Sequence, residues 1–122
     1  MEDKSCKTPR WRMFKARLNN LKPIEAQQLM DESSDLVLID VRTPKEFING
    51  HFDSARNIDY FGDDFYEQIE ALDPEQKYLV YCRSGRRSIR ACTLMINGGM
   101  AKDNVYNLDG GWQAWHEIFQ LN

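Results

Sequence analysis

Tyr78-Leu79-Val80-Tyr81-Cys82-Arg83-Ser84-Gly85-Arg86-Arg87-Ser88 runs from an unbroken apolar stretch of strand length into a glycine and a cluster of arginines. Arg86 to Asn97 then carries Ile89, Cys92 and Ile96 at helical spacing, and Gly98-Gly99 supplies the stop. A continuous apolar strand is expected where both faces of a sheet are covered, as in parallel sheets. The segment therefore reads as buried strand, tight turn, helix, with Cys82 at the strand's carboxyl end.

The same alternation extends outward. Leu36-Val37-Leu38-Ile39 is a second apolar run and Val105-Tyr106-Asn107-Leu108 a third. A helical stretch precedes them, Pro23 to Met30, which opens on a proline and is closed by Asp31 to Asp35, and another lies between, Asp63 to Leu72 with Phe65, Ile69 and Leu72 on one stripe. In Thr43-Pro44-Lys45-Glu46, Thr43 is placed to cap, Pro44 to begin a helix, and Glu46 to return the cap. Asp109-Gly110-Gly111-Trp112 forms a turn after the third strand, leading into a helix with Trp112 and Trp115. Strands alternating with helices predict an α/β domain with a mostly parallel sheet flanked by helices on both faces, and ligands beyond the carboxyl ends of its strands.

The chain has 122 residues, 42% of them hydrophobic, enough for one domain and too few for two. Residues 1–20 read as a basic arm, either a poorly ordered terminus or a short docking helix, and 21–122 as the folded domain. Net charge is -3, which leaves no footprint for nucleic acid or a membrane surface. No apolar run approaches the roughly 20 residues that cross a bilayer. Cys6, Cys82 and Cys92 cannot all pair with one another, and no Cys-x-x-Cys spacing suggests zinc. A reducing, cytoplasmic setting is expected, with no metal and no cofactor. His51 and His116 lack ligand spacing and are expected in a turn and on a helix surface.

Within this acidic chain, Arg83, Arg86, Arg87 and Arg90 crowd into eight positions without a carboxylate. A loop curling into a helix start turns backbone N–H groups inward, the helix dipole adds positive potential, and the arginines add full charges. Gly85 allows the loop to close. These features favour the thiolate of Cys82, the reactive nucleophile. Cys92, on the stripe of Ile89 and Ile96, is expected in the core. Cys6 is an improbable partner for Cys82.

Asp40-Val41-Arg42 with Glu46-Phe47, then Gly50-His51, Ala55 and Asn57-Ile58, then Cys82 to Ser88, then Leu108-Asp109-Gly110-Gly111-Trp112 with Trp115, resembles the rhodanese homology domain over about residues 21–119. The resemblance implies a five-stranded, mostly parallel sheet and a sulfurtransferase. In it Cys82 takes a sulfane sulfur from a donor such as thiosulfate, becomes a persulfide, and passes the outer sulfur to cyanide, a thiol or a thioredoxin-like acceptor. Carried over by position, Cys82 is the catalytic nucleophile. Arg83, Ser84, Gly85, Arg86, Arg87 and Ser88 form the substrate cradle, with Arg83, Arg86 and Arg87 drawing in the anionic donor. Asp40, Arg42 and Glu46 read as scaffold, with an Arg42–Glu46 ion pair geometrically possible. Phe52, Ser54 and Asp59 depart from the family pattern, which bears on one wall of the pocket.

Two other readings share these residues. Cysteine phosphatases and arsenate reductases need Cys-x-x-x-x-x-Arg, whose last arginine grips a tetrahedral oxyanion through two bonds; counting from Cys82, that position is Ser88. The other reading is a persulfide relay or binding module whose specificity lies in a protein partner docked by the basic arm.

Overall fold

Tyr78, Leu79, Val80 and Tyr81 are all buried, at 1% exposure or less, because helices cover both faces of the strand they form. The computed structural model describes residues 9–119. Its sheet consists of Asn19–Leu21 (β1), Val37–Asp40 (β2), Arg56–Asn57 (β3), Tyr78–Tyr81 (β4) and Val105–Leu108 (β5). The strand order is β1-β5-β4-β2-β3, and every pairing is parallel. The predicted five-stranded α/β architecture is the observed one.

The helices are Arg10–Lys15 (α1), Pro23–Glu32 (α2), Pro44–Ile48 (α3), Phe65–Glu70 (α4), Arg86–Asn97 (α5) and Gly111–Phe119 (α6), with a 3₁₀ turn over Lys102–Asn104. Because successive strand residues face opposite ways, Tyr78, Val80 and Cys82 join Ile39, Val41, Phe65, Ile69, Ile89, Cys92 and Met95 in one core. Leu79 and Tyr81 face a second core of Ala26, Leu38, Phe52 and Leu108, with Trp112 and Trp115 packed against it. Helices α1, α4 and α5 thus cover one face, and α2 and α6 the other.

The basic terminal stretch behaves differently from a loose arm over its described part. Trp11 and Phe14 of α1 pack against the first core, and Asn19 to Leu21 pair with Tyr106 to Leu108. Two half-buried aromatics and an edge strand tie this segment to the domain. Cys6 and the rest of residues 1–8 lie outside the described residues. Among the described residues no helix is long and apolar enough to cross a membrane.

Candidate active site

Cys82 ends β4, and the next three residues turn so that Gly85 can start α5. Gly85 adopts φ 99°, a left-handed conformation that favours glycine. A Cβ there would also stand 3.2 Å from the Gly110 nitrogen. The turn aims two backbone donors at one atom: the Gly85 N–H donates to Cys82 Sγ at 3.1 Å and the Ser88 N–H at 3.4 Å. The Ser88 hydroxyl lies 3.6 Å from the same sulfur. Cys82 is 1% exposed, so the cradle is nearly closed and stabilises negative charge at the sulfur through fixed dipoles.

The other side of the loop is held by α6. Trp112 N–H donates to the Cys82 carbonyl at 2.8 Å and Gln113 N–H to the Arg83 carbonyl at 2.9 Å. These are donors of the first turn of a helix, which have no partner within it. They fix the backbone on either side of the sulfur.

Asp40 and Arg42 form the neighbouring wall. The fully buried Asp40 accepts from Arg42 Nη2 at 2.7 Å, from Arg42 Nε and from the Arg42 backbone N–H. Arg42 also donates to the Gly50 carbonyl at 2.6 Å and lies over the rings of Tyr81 and Trp112. Burial works against this guanidinium's charge, but the Asp40 carboxylate outweighs it and raises its pKa. Burial likewise pushes up the phenol of Tyr81, whose hydroxyl accepts the Phe52 N–H.

The geometrically possible Arg42–Glu46 ion pair is not formed. Asp40, two residues before Arg42, takes its guanidinium, and Glu46 pairs instead with Arg87 through two bonds of 3.0 and 3.1 Å. The Thr43–Glu46 capping box is present as predicted. Arg87, Thr43 and the cap together hold Glu46 down to about pKa 2, against the burial that opposes ionisation. The clamp links α3 to the start of α5, across 41 residues of chain.

The arginines consequently divide. Arg87 is engaged by Glu46, and Arg86 lies 4.2 Å over the indole of Trp11. Arg83 is exposed and lines an open cavity of about 370 Å³ together with Arg42, Glu46, Trp112, Gln113 and His116. Ser84 is exposed, and Ser88 is buried beneath the loop. Cys92 is fully buried and its thiol is pushed up by desolvation and, secondarily, by Cys82. His51 stacks on Phe47 in its turn; His116 is exposed on α6.

A model of the rhodanese-like domain matches residues 22–118. The chain belongs to the rhodanese family. It is 32% identical over 102 residues to a thiosulfate sulfurtransferase, GlpE, of Shewanella oneidensis, covering 82% of this chain and 97% of that one. Among solved structures it is similar to a rhodanese-related protein from Thermoplasma volcanium, with a TM-score of 0.71 and 26% identity over 83% of this chain and 93% of that one. An As-Sb reductase from Leishmania major has the same fold at a TM-score of 0.71 and 19% identity, covering 84% and 79% of the two chains. Helix α1 and strand β1 precede the matched residues of this rhodanese.

Two residues linked to this site, Asn107 directly and Asn20 through it, were not singled out by sequence as functional. Asn107 and Asn20 sit on β5 and β1 and lead away from Ser88 in a hydrogen-bonded line. The one sequence signal for Asn107 is a polar residue inside the apolar run Val105 to Leu108.

Proposed function

We propose that this rhodanese-type sulfurtransferase carries sulfane sulfur on Cys82. The thiolate attacks the outer sulfur of thiosulfate, the sulfur–sulfur bond of the donor breaks, and sulfite leaves with the bonding pair. The negative charge then rests on the outer sulfur of a Cys82 persulfide. An acceptor nucleophile, cyanide or a thiol such as that of a thioredoxin-like protein, takes that outer sulfur and returns the thiolate. The observation that carries this reading is the convergence of the Gly85 and Ser88 N–H groups on Cys82 Sγ, which suits a sulfur that gains and loses charge. Arg83, exposed on the cavity beside the loop, supplies the free cation for the anionic donor.

Phosphoryl or arsenate chemistry is less well served. The loop has Ser88 where those enzymes place their gripping arginine, and Arg87, one residue earlier, is held by both oxygens of Glu46. A protein acceptor docked by the basic arm also has less to work with in the described part of that stretch. There Trp11 stacks on Arg86 and Lys15 pairs with Asp109 at 2.6 Å.

The test is intact mass after incubation with thiosulfate. The wild-type chain gains one sulfur atom and loses it to cyanide; Cys82→Ser gains none. Transfer that survives in Cys82→Ser would sink the mechanism.

A further inference from the structure

The Ser88 hydroxyl has one proton, and a line of amides decides where it points. Asn20 Nδ2 donates to the carbonyls of Lys15 and Leu18 at 2.8 and 3.3 Å. With its amide nitrogen committed to two backbone acceptors, Asn20 presents Oδ1 to Asn107. Asn107 Nδ2 donates to that oxygen at 2.9 Å, so Asn107 must present its own Oδ1 to Ser88. Flipping Asn107 would set two amide oxygens face to face and leave the Ser88 oxygen facing an N–H₂. Ser88 accordingly donates to Asn107 Oδ1 at 2.6 Å, a shorter contact than its 3.2 Å alternative, the Gly85 carbonyl. Neither acceptor is the sulfur. Toward Cys82 the hydroxyl turns lone pairs, which welcome an S–H proton and oppose charge on Sγ.

We propose that Asn107 and Asn20 are positioning residues that pin the Ser88 proton away from Cys82. The effect separates two states of one sulfur. A thiolate has its charge on Sγ, beside the Ser88 lone pairs. A persulfide has a neutral inner sulfur and its charge one atom further out. The relay therefore disfavours the bare thiolate relative to the loaded enzyme, while the Gly85 and Ser88 N–H groups supply the attraction. Asn107 and Ser88 are both buried, at 1% and 0% exposure, so water does not compete for these bonds. The line ends on α1 and the turn after it, and its anchor Asn20 precedes the residues of the family match.

Most charged groups on the elements around the loop are engaged with one another, and all of them stay unchanged in the variants below. On α5, Arg87 is paired with Glu46 of α3. At the end of β2, Arg42 is paired with Asp40. Arg86 is stacked on Trp11 of α1, and Lys15 is paired with Asp109 after β5. Arg83 faces the open cavity, and Cys92 is buried on α5.

The experiment measures, across pH, the rate at which iodoacetamide alkylates Cys82, read on the Cys82 peptide by mass spectrometry. In Asn107→Leu the Ser88 proton is released to the sulfur, and the midpoint of the profile moves down by about one pH unit, a roughly tenfold gain in thiolate below it. In Asn20→Ala the Asn107 amide is free to turn over and the midpoint moves the same way by less. Ser88→Ala combined with Asn107→Leu matches Ser88→Ala alone, because the amide acts only through the hydroxyl. An unmoved or raised midpoint in Asn107→Leu, or a downward shift that persists without Ser88, overturns the proposal. Should Asn107→Leu fail to fold, the half-buried Asn20 position carries the test, and an unmoved midpoint in Asn20→Ala overturns it. The inference rests on Cys82 being the reactive sulfur but is read without any sulfur donor. Failure of alkylation to respond is thus distinct from failure of sulfur loading.

Discussion

Gly111 shows how little room the cysteine loop leaves its neighbours. It has φ 67°, and a Cβ built on it would stand 2.6 Å from the carbonyl oxygens of both Cys82 and Arg83. Those oxygens accept the first amides of α6, so the contact cannot relax without breaking them. Gly111→Ala is expected to lower stability by about 2–4 kcal/mol, from backbone strain plus two weakened hydrogen bonds, measured by urea denaturation. Equal midpoints for the variant and wild type would contradict this account. At this scale the sequence was legible wherever the partner is near. Cys82, Gly85 and Ser88 lie within seven positions, and their local chemistry could be read directly. Asn107 and Asn20 were not legible as site residues, because Ser88 and Asn107 are 19 residues apart and Asn107 and Asn20 are 87 apart. Only the folded sheet brings them together.

Among the elements, α3 and α5 are joined by one ion pair, and its titration has a definite sign. Glu46 in the folded protein sits near pKa 2, below its ordinary 4.5. A depressed carboxyl contributes stability that is present above its ordinary value and is lost as pH falls toward the folded value. The urea midpoint is therefore expected to decline between about pH 5 and pH 2, and Glu46→Gln to decline less steeply over that window while starting lower at neutral pH. Parallel declines in the two proteins would show that the clamp contributes nothing. The element boundaries reveal the same division between local and distant causes. The helix predicted from Arg86 to Asn97 and the strand from Val105 to Leu108 match the observed limits, since strong periodicity and glycine punctuation mark them. Strands β1 and β3 escaped sequence reading: at three and two residues they are too short to display alternation. Helix α1, six residues long, is equally short for a helical period, and its Trp11 and Phe14 pack on the first core.

For the molecule as a whole, the sheet order puts the most protected strand under the Cys82 sulfur. β4 lies between β5 and β2 and is buried along its full length. Native-state hydrogen exchange is expected to be slowest at the β4 amides, opening only with global unfolding, and faster at β1 and β3 on the sheet's margins. Protection at Arg56 and Asn57 equal to that at Leu79 and Val80 would overturn this ranking. The carboxyl end of a strand that opens only with the whole domain gives Cys82 a fixed base.

The margins of the sheet have a separate consequence, for how the molecule meets its own copies. A parallel sheet with long bare borders would invite strand addition and growth into fibrils. Here the border strands present runs of three and two residues. Asn19 further turns its amide back onto the Lys102 carbonyl at 2.7 Å. A foreign strand finds too few free backbone groups to register against, so the fold that carries the cysteine loop at one end is blunted against self-templating along its sides.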